Sequence, residues 1–279
     1  MKQTLTAERD IVIFDCDGVF YSWRHYNKGQ KDLFPSDPMH HAKRFCAEIK
    51  AEVVPLLLPV LTRDEAAILG KRSYEETGDG LHYFVELASR HGFDPEEFRE
   101  QLHRVYHQLQ FQRVAKDYPE LLEPCAESSL HLQALGSRVN FGVLSQSCRD
   151  NWLKPLLGSK NILNHIKPEY LFGFKEFGWN EKSVSAKGLG IIMDAMEADP
   201  SRVVFVEDTK KNLYHVKKEY PDALTAHVSD WQTATPEDDY IDLSVDTTLD
   251  FLRRLRDTHM DMTPHCRIEN KPRALSLTP

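Results

Sequence analysis

The stretch Asp10-Ile11-Val12-Ile13-Phe14-Asp15-Cys16-Asp17-Gly18-Val19 decides the fold. Its four apolar residues, Ile11–Phe14, are too few for a helix and carry no polar alternation. Runs this short and this apolar suit a parallel strand covered on both faces. The strand ends on two carboxylates, Asp15 and Asp17. In a doubly wound sheet, ligands bind outside the carboxyl ends of the strands.

Similar runs lie further along the chain, at Val139–Leu144, Tyr170–Phe174 and Val203–Val206, with weaker ones at Leu224–Val228 and Tyr240–Val245. Helical periodicity falls between them, over Leu121–Leu135, Lys187–Met196, Asn212–Tyr220 and Leu249–Leu255. Alternating strand and helix predicts βαβ units, hence an α/β fold with a doubly wound, mostly parallel, Rossmann-like sheet. Residues 23–114 differ. Helical patterns over Glu65–Tyr74, Leu81–His91 and Glu96–Gln112 occur there without strand runs, and Asp94-Pro95 makes a good helix start. The expected organisation is a catalytic core from residues 1–22 and 115–256, a helical cap over 23–114, and an extended or mobile tail over 257–279.

The chain has 279 residues, 41% of them hydrophobic, enough for a large packed core. Its formal net charge of -8 disfavours a general nucleic-acid binder, which needs a basic face. A small anionic substrate remains compatible, because a metal and one or two lysines make a local positive site. The five cysteines are widely spaced, with no CxxC pair, so neither a disulfide framework nor a zinc ribbon is expected. MKQTLTAERD carries no apolar signal region. The most apolar stretch, Val53–Leu61, is short and broken by Pro55 and Pro59, and cannot span a bilayer. These features predict a cytoplasmic protein without nucleic-acid or membrane partners, a monomer or homodimer.

Four local signals carry chemistry. Asp15 and Asp17 form the first; alone, such a pair is more often a solvated turn. Ser145 follows the strand VNFGVL, where a hydroxyl can donate to a phosphoryl oxygen, although an isolated serine is ordinarily a turn residue. Lys187 opens an apolar-periodic helix, and an ammonium there can neutralise a carboxylate and a phosphoryl group together. Lys175 and Lys182 compete with it for that role. Glu207-Asp208 ends the strand VVFV. Two acids ending an apolar run are costly unless they meet a cation, and Mg²⁺ takes oxygen ligands of this kind. His103 and His107 share a helix face but lack the glutamate of a zincin motif, and read as packing residues.

In their order and placement these signals resemble the haloacid dehalogenase-like hydrolase superfamily, over about residues 8 to 256. Within it, FDCDGVFY, Tyr74–Gly78 with Gly80-Leu81, FDPEEFREQLH and VEDTKKNL resemble the pyrimidine 5′-nucleotidase-like branch. Gly18-Val19 stands where that branch has Asn-Thr, Ser145–Ser147 where it has Thr-Asn-Ala, and Gly188 where a proline commonly follows the motif lysine. The stretch from Phe174 to Lys187 is longer than usual.

The resemblance implies a phosphatase acting on a small phosphorylated metabolite, with nucleoside 5′-monophosphates favoured. Asp15 would be the nucleophile and form an aspartyl-phosphate, and Asp17 the general acid and base. Mg²⁺ would be held by Asp15, the Asp17 carbonyl and Asp208, with Glu207 acting through water or behind the ligands. Ser145 and Lys187 would grip the phosphoryl oxygens. Tyr21, Gln146 and Asn212 are further candidates for substrate contact, with Tyr26, Arg72, Tyr74 and His82 behind them. Asp17 argues against dehalogenation, since a departing halide needs no proton. A phosphomutase of the same superfamily, or a non-catalytic module retaining the fold, are the alternatives.

Overall fold

The computed structural model describes residues 2–27 and 39–260. In chain order its main elements are β1 (Ile11–Phe14), α1 (His40–Leu57), α2 (Arg63–Thr77), α3 (His82–Arg90), α4 (Pro95–Asp117) and α5 (Ala126–Leu135). Then come β2 (Asn140–Leu144), α6 (Lys154–Ser159), β3 (Leu171–Phe172), α7 (Lys187–Ala195), β4 (Val203–Glu207), α8 (Lys210–Glu219), β5 (Leu224–Val228), β6 (Leu243–Val245) and α9 (Thr248–Met260).

The six strands form one sheet in the order β3-β2-β1-β4-β5-β6, parallel at every pairing. From β1 the chain builds outward through β2 and β3. It then returns to the opposite edge of β1 with β4 and builds outward again. That reversal is the switch point at which a crevice opens beyond the carboxyl ends of the strands. Phe14 is in register with Val143 on one side and Val206 on the other, so the residues following these three strands meet.

Both faces of the sheet are buried, which explains the unbroken apolar runs. Successive side chains still alternate between faces. Val12 and Phe14 pack with Val143, Val204 and Val206 against Leu252 and Leu255 of α9. Ile11 and Ile13 face the other way, against Leu189 and Ile192 of α7 and Leu213 of α8. The Phe14 ring meets Phe20, Phe141 and Phe251 at centroid distances of 5.1, 6.2 and 6.0 Å.

Between β1 and β2 the chain is helical. Thr62 and Glu65 cap the start of α2 reciprocally, and Asp94 Oδ1 accepts the backbone N–H groups of Glu96 and Glu97 at the start of α4. Helix α1 packs on α2 and α4, and α3 on the same two helices.

Four local expectations need correction. The pattern over Leu121–Leu135 is not one helix: Pro119–Leu122 forms a 3₁₀ turn, Pro124 intervenes, and α5 starts at Ala126. The run Tyr170–Phe174 yields only the two-residue β3. It stops at Gly173, where a side chain would collide with the backbone of Ser147 and Arg149. Helix α1 gave no recognised pattern, because Pro55 interrupts the apolar stretch in its last turn. Helix α9 continues to Met260, past the expected boundary at 257. Residues 261–279, the rest of the expected tail with Cys266, lie outside the described residues. Among the described residues no helix is long and apolar enough to cross a membrane. Cys16, Cys46, Cys125 and Cys148 are free thiols.

Candidate active site

Asp15 follows β1, Ser145 follows β2, and Glu207 ends β4 with Asp208 next in the chain. The three central strands therefore deliver their terminal side chains to one place. Asp15, Ser145, Glu207 and Asp208 are buried, at 6%, 1%, 0% and 2% exposure. The backbone N–H of Asp15 donates to the carbonyl of Val206 at 2.8 Å, which fixes the two strand ends to each other.

Oxygens of Asp15, Glu207 and Asp208 lie within 4.8 Å of one another. The cation among them is Lys182. Its Nζ is 2.7 Å from Asp15 Oδ1 and 2.8 Å from Glu207 Oε2, and the lysine is 7% exposed. Burial works against the ammonium, but the two carboxylates outweigh it and hold Lys182 above its ordinary value. The structure does not bring Lys187 into this cluster. It is exposed at the start of α7, five positions further on, with no hydrogen bond or ion pair among the described residues. Lys175 is also at the surface, 2.7 Å from Glu100.

Each carboxylate has a distinct environment. Glu207 is saturated: Oε1 accepts the backbone N–H groups of Asp208 and Thr209, each at 3.1 Å, and Oε2 accepts Asn212 Nδ2 at 3.0 Å and the Lys182 ammonium. Burial disfavours its charge, yet Lys182 and these donors prevail and hold it below the usual carboxylate range. Asp15 is pushed well above that range by burial and then by the Glu207 charge, against the pull of Lys182. Asp208 is pushed up by burial and by the charges of Glu207 and Asp15. With all three ionised, these buried carboxylates beside one ammonium leave two negative charges uncompensated, which is why Asp15 and Asp208 are pushed up. The donors are all hard oxygens, so the residues present suit a divalent cation such as Mg²⁺.

Asp17 stands apart from that cluster. Its Oδ1 accepts Tyr21 Oη and Trp152 Nε1, both at 2.7 Å, and its Oδ2 accepts the hydroxyls of Ser147 at 2.9 Å and Ser145 at 3.1 Å. A π-turn at Arg149–Leu153 seats Trp152 with its ring fully buried and its N–H aimed at Asp17. Tyr21 is thus bonded to Asp17, and Asn212 Nδ2 to Glu207. Gln146 lies half-buried on the turn that carries Ser145. Arg72 is exposed and donates to Glu76 at 2.7 Å.

Two further donors hold Asp208. Oδ2 accepts Trp23 Nε1 and Trp231 Nε1, each at 2.8 Å. Gly18 makes this possible, because a side chain there would collide with Asp208 Oδ2 and Trp23 Nε1, and its φ of +78° favours glycine in any case. Three of the chain's four tryptophans thus donate to two site carboxylates.

Neither a protein-family model nor a curated protein matches the chain. Solved structures do. A dehalogenase crystal structure shares 12% identity over 92% of this chain and 99% of its own, with a TM-score of 0.50. A dehalogenase intermediate complex shares 12% over 88% and 97%, also at 0.50. The L-2-haloacid dehalogenase from Xanthobacter autotrophicus shares 13% over 88% and 98%, at 0.48.

The fold is that of the haloacid dehalogenase-like hydrolases. On that haloacid dehalogenase-like frame, Asp15, Asp17, Ser145 and the Glu207-Asp208 pair sit together at the switch point. The tryptophans went unnoticed in the sequence. Their only signal is position, each lying in the segment that follows a strand of the sheet: Trp23 after β1, Trp152 after β2 and Trp231 after β5.

The histidines of α4 belong to packing. His103 and His107 are buried, their rings 5.6 Å apart, and His103 also meets Phe174 and Trp179 across the interface with the core. Burial lowers both to about 3, so both rings are neutral at ordinary pH.

Proposed function

We propose that the chain is a Mg²⁺-dependent phosphatase of small phosphomonoesters, nucleoside 5′-monophosphates foremost, working through an aspartyl-phosphate on Asp15. The observation that carries this reading is Lys182 bridging Asp15 and Glu207 beside the ionisable Asp208. One fixed ammonium holds the nucleophile, and the remaining charge imbalance suits a divalent cation and a phosphoryl group together.

Asp15 and Asp208, with the main chain at Asp17, would hold the ion. When bound it would offset the negative charge of the phosphoryl oxygens. A carboxylate oxygen of Asp15 attacks phosphorus while the ester oxygen departs, splitting one hard displacement into two easier ones. Lys182 stays against Asp15 through the approach, and its ammonium also offsets charge on the phosphoryl group. Glu207 serves by fixing Lys182, with Asn212 holding Glu207 in turn. The ester oxygen takes its proton from Asp17, which then accepts one from the water that hydrolyses the aspartyl-phosphate. With both Asp17 oxygens occupied by donors, each proton transfer requires at least one of those four hydrogen bonds to be given up.

The test is phosphate release from a panel of phosphorylated metabolites, with Mg²⁺ and with EDTA. Release from nucleoside monophosphates that EDTA abolishes is the expected result. Conversion of a sugar phosphate to its isomer without net release would replace hydrolysis by phosphoryl transfer. No release from any member would overturn the catalytic reading.

A further inference from the structure

We infer that Trp23 and Trp231 are positioning residues for the cation, acting through Asp208; the inference rests on the metal site of the proposed function. The two indole N–H groups share a single oxygen, Oδ2 of Asp208. An indole nitrogen only donates, and one carboxylate oxygen has two lone-pair directions. Two indoles therefore exhaust Oδ2 and leave Oδ1, which receives only the Thr209 hydroxyl at 3.2 Å, as the oxygen for an ion. The carboxylate cannot rotate without breaking two charge-assisted hydrogen bonds in a place where only 2% of the residue meets water.

The indoles are themselves held. Asp230, the neighbour of Trp231, accepts the backbone N–H of Trp23 at 2.8 Å and the hydroxyl of Ser22, and its carbonyl accepts Arg24 Nε at 3.1 Å. The loop after β5 is thereby fastened to the segment after β1, and the two indoles approach Asp208 from separate parts of the chain. The Asp208 carbonyl is anchored too: His227 Nε2 donates to it at 3.1 Å, which makes Nε2 the protonated nitrogen. On its far side the Trp23 ring stacks on Tyr26, with centroids 6.1 Å apart, and Tyr26 packs on Phe45 of α1 at 5.2 Å. A continuous line of rings thus joins the metal carboxylate to the inserted helices.

Groups that orient a metal ligand from behind usually matter by 10–100-fold in metal affinity, roughly the loss expected here. The experiment is calorimetric titration of the full chain with Mg²⁺ alone. The proteins are the wild type, Trp23→Phe, Trp231→Phe and, as a control away from Asp208, Trp179→Phe. Phenylalanine keeps most of the ring packing and deletes the N–H. Melting in EDTA identifies any variant that has lost its fold, and the two indole variants lie on different loops, so one suffices for a reading. The expected result is weaker Mg²⁺ binding in Trp23→Phe and Trp231→Phe, by about 10- to 100-fold, with Trp179→Phe unchanged. Wild-type affinity in both indole variants overturns the inference and leaves the phosphatase reading standing. Equal weakening in all three variants overturns it as well, since that reports general loosening. No Mg²⁺ binding by the wild type overturns both.

Discussion

Lys182 Nζ lies 2.7 Å from Asp15 Oδ1, and that ion pair places Lys182 rather than Lys187 among the buried carboxylates. The two residues are far apart in sequence. Lys182 sits in a loop with no periodicity, five positions ahead of the helix start that looked more suitable.

Replacing Lys182 by Met should lower kcat by roughly 10²–10³-fold, the scale of a lost preorganised donor. It should also reduce metal-free stability by about 3–5 kcal/mol, because buried carboxylates lose their partner. Lys187→Met should leave both within about 0.5 kcal/mol and twofold of wild type, as for an ordinary surface position. Phosphate-release kinetics and urea melts in EDTA distinguish the two lysines. Equal losses in both variants would return the role to Lys187.

Asp17→Asn should abolish turnover while the fold persists. The asparagine carbonyl can keep the Trp152 and Tyr21 donors. Its amide then faces Ser145 and Ser147, whose hydroxyls can rotate to accept. Wild-type melting with no phosphate release is the expected pair of results. Retained hydrolysis would remove Asp17 from acid–base chemistry.

Gly18→Ala should be far more damaging than an exposed glycine substitution. The new methyl meets Asp208 and Trp23, and the φ of +78° adds strain of about 1 kcal/mol. Loss of Mg²⁺ binding in calorimetry should accompany the lower melting temperature. Gly92→Ala is the control: its φ is +85° but nothing lies within 4 Å of the added methyl, so it isolates the backbone cost.

Asp208→Asn should stabilise the metal-free protein and remove its response to Mg²⁺. Asp15 and Asp208 both have folded-state values raised above the ordinary 3.8. A raised carboxylate contributes stability in full below its unfolded value, and that contribution is lost as pH rises through the folded value. The melting temperature of the wild type in EDTA should therefore fall relative to Asp208→Asn as pH rises from about 4 towards neutrality. Saturating Mg²⁺ should close the gap. Parallel pH profiles in EDTA would contradict the charge imbalance.

His103 and His107 predict the opposite slope. Burial lowers both from 6.5 to about 3, so the unfolded chain takes up protons first as pH falls. Stability is lost through that window, by on the order of 3 kcal/mol per ring at pH 4 if the two act independently. Neither His103 ring nitrogen has a hydrogen-bond partner, so His103→Phe should resist acid better than wild type. Urea melts between pH 4 and pH 7 measure the difference, and an unchanged acid limb would exclude the ring.

The sheet and the carboxylates were legible because burial on both faces leaves short apolar runs, and acids that close such runs stand out. Glu207 and Asp208 could be read at the tip of VVFV, and Asp15 after IVIF. Lys182 and the indoles could not be singled out. Their positions depend on how loops fold back over the strand ends, and loops carry no period. Helix α1 was hidden for a local reason, since Pro55 breaks the pattern of an otherwise apolar final turn. Asn212 and Tyr21 were singled out for substrate contact, and the partners the structure gives them, Glu207 and Asp17, are set by distances that no spacing encodes.

The central place of β1 has a consequence for biosynthesis. Ile11 pairs with Asn140 on one side and with Val203 on the other. The strand that ends at Asp15 therefore precedes both of its neighbours by long stretches of sequence, and it gains the second only once β4 has been made. Contacts so distant in sequence form late and slowly. Until β2 and then β4 pair with it, Ile11–Phe14 is an apolar segment with open edges, the kind of surface on which nascent chains aggregate and chaperones act. A product ending before β4 would lack Glu207 and Asp208 altogether, so the cluster of three carboxylates assembles only after that strand has been made.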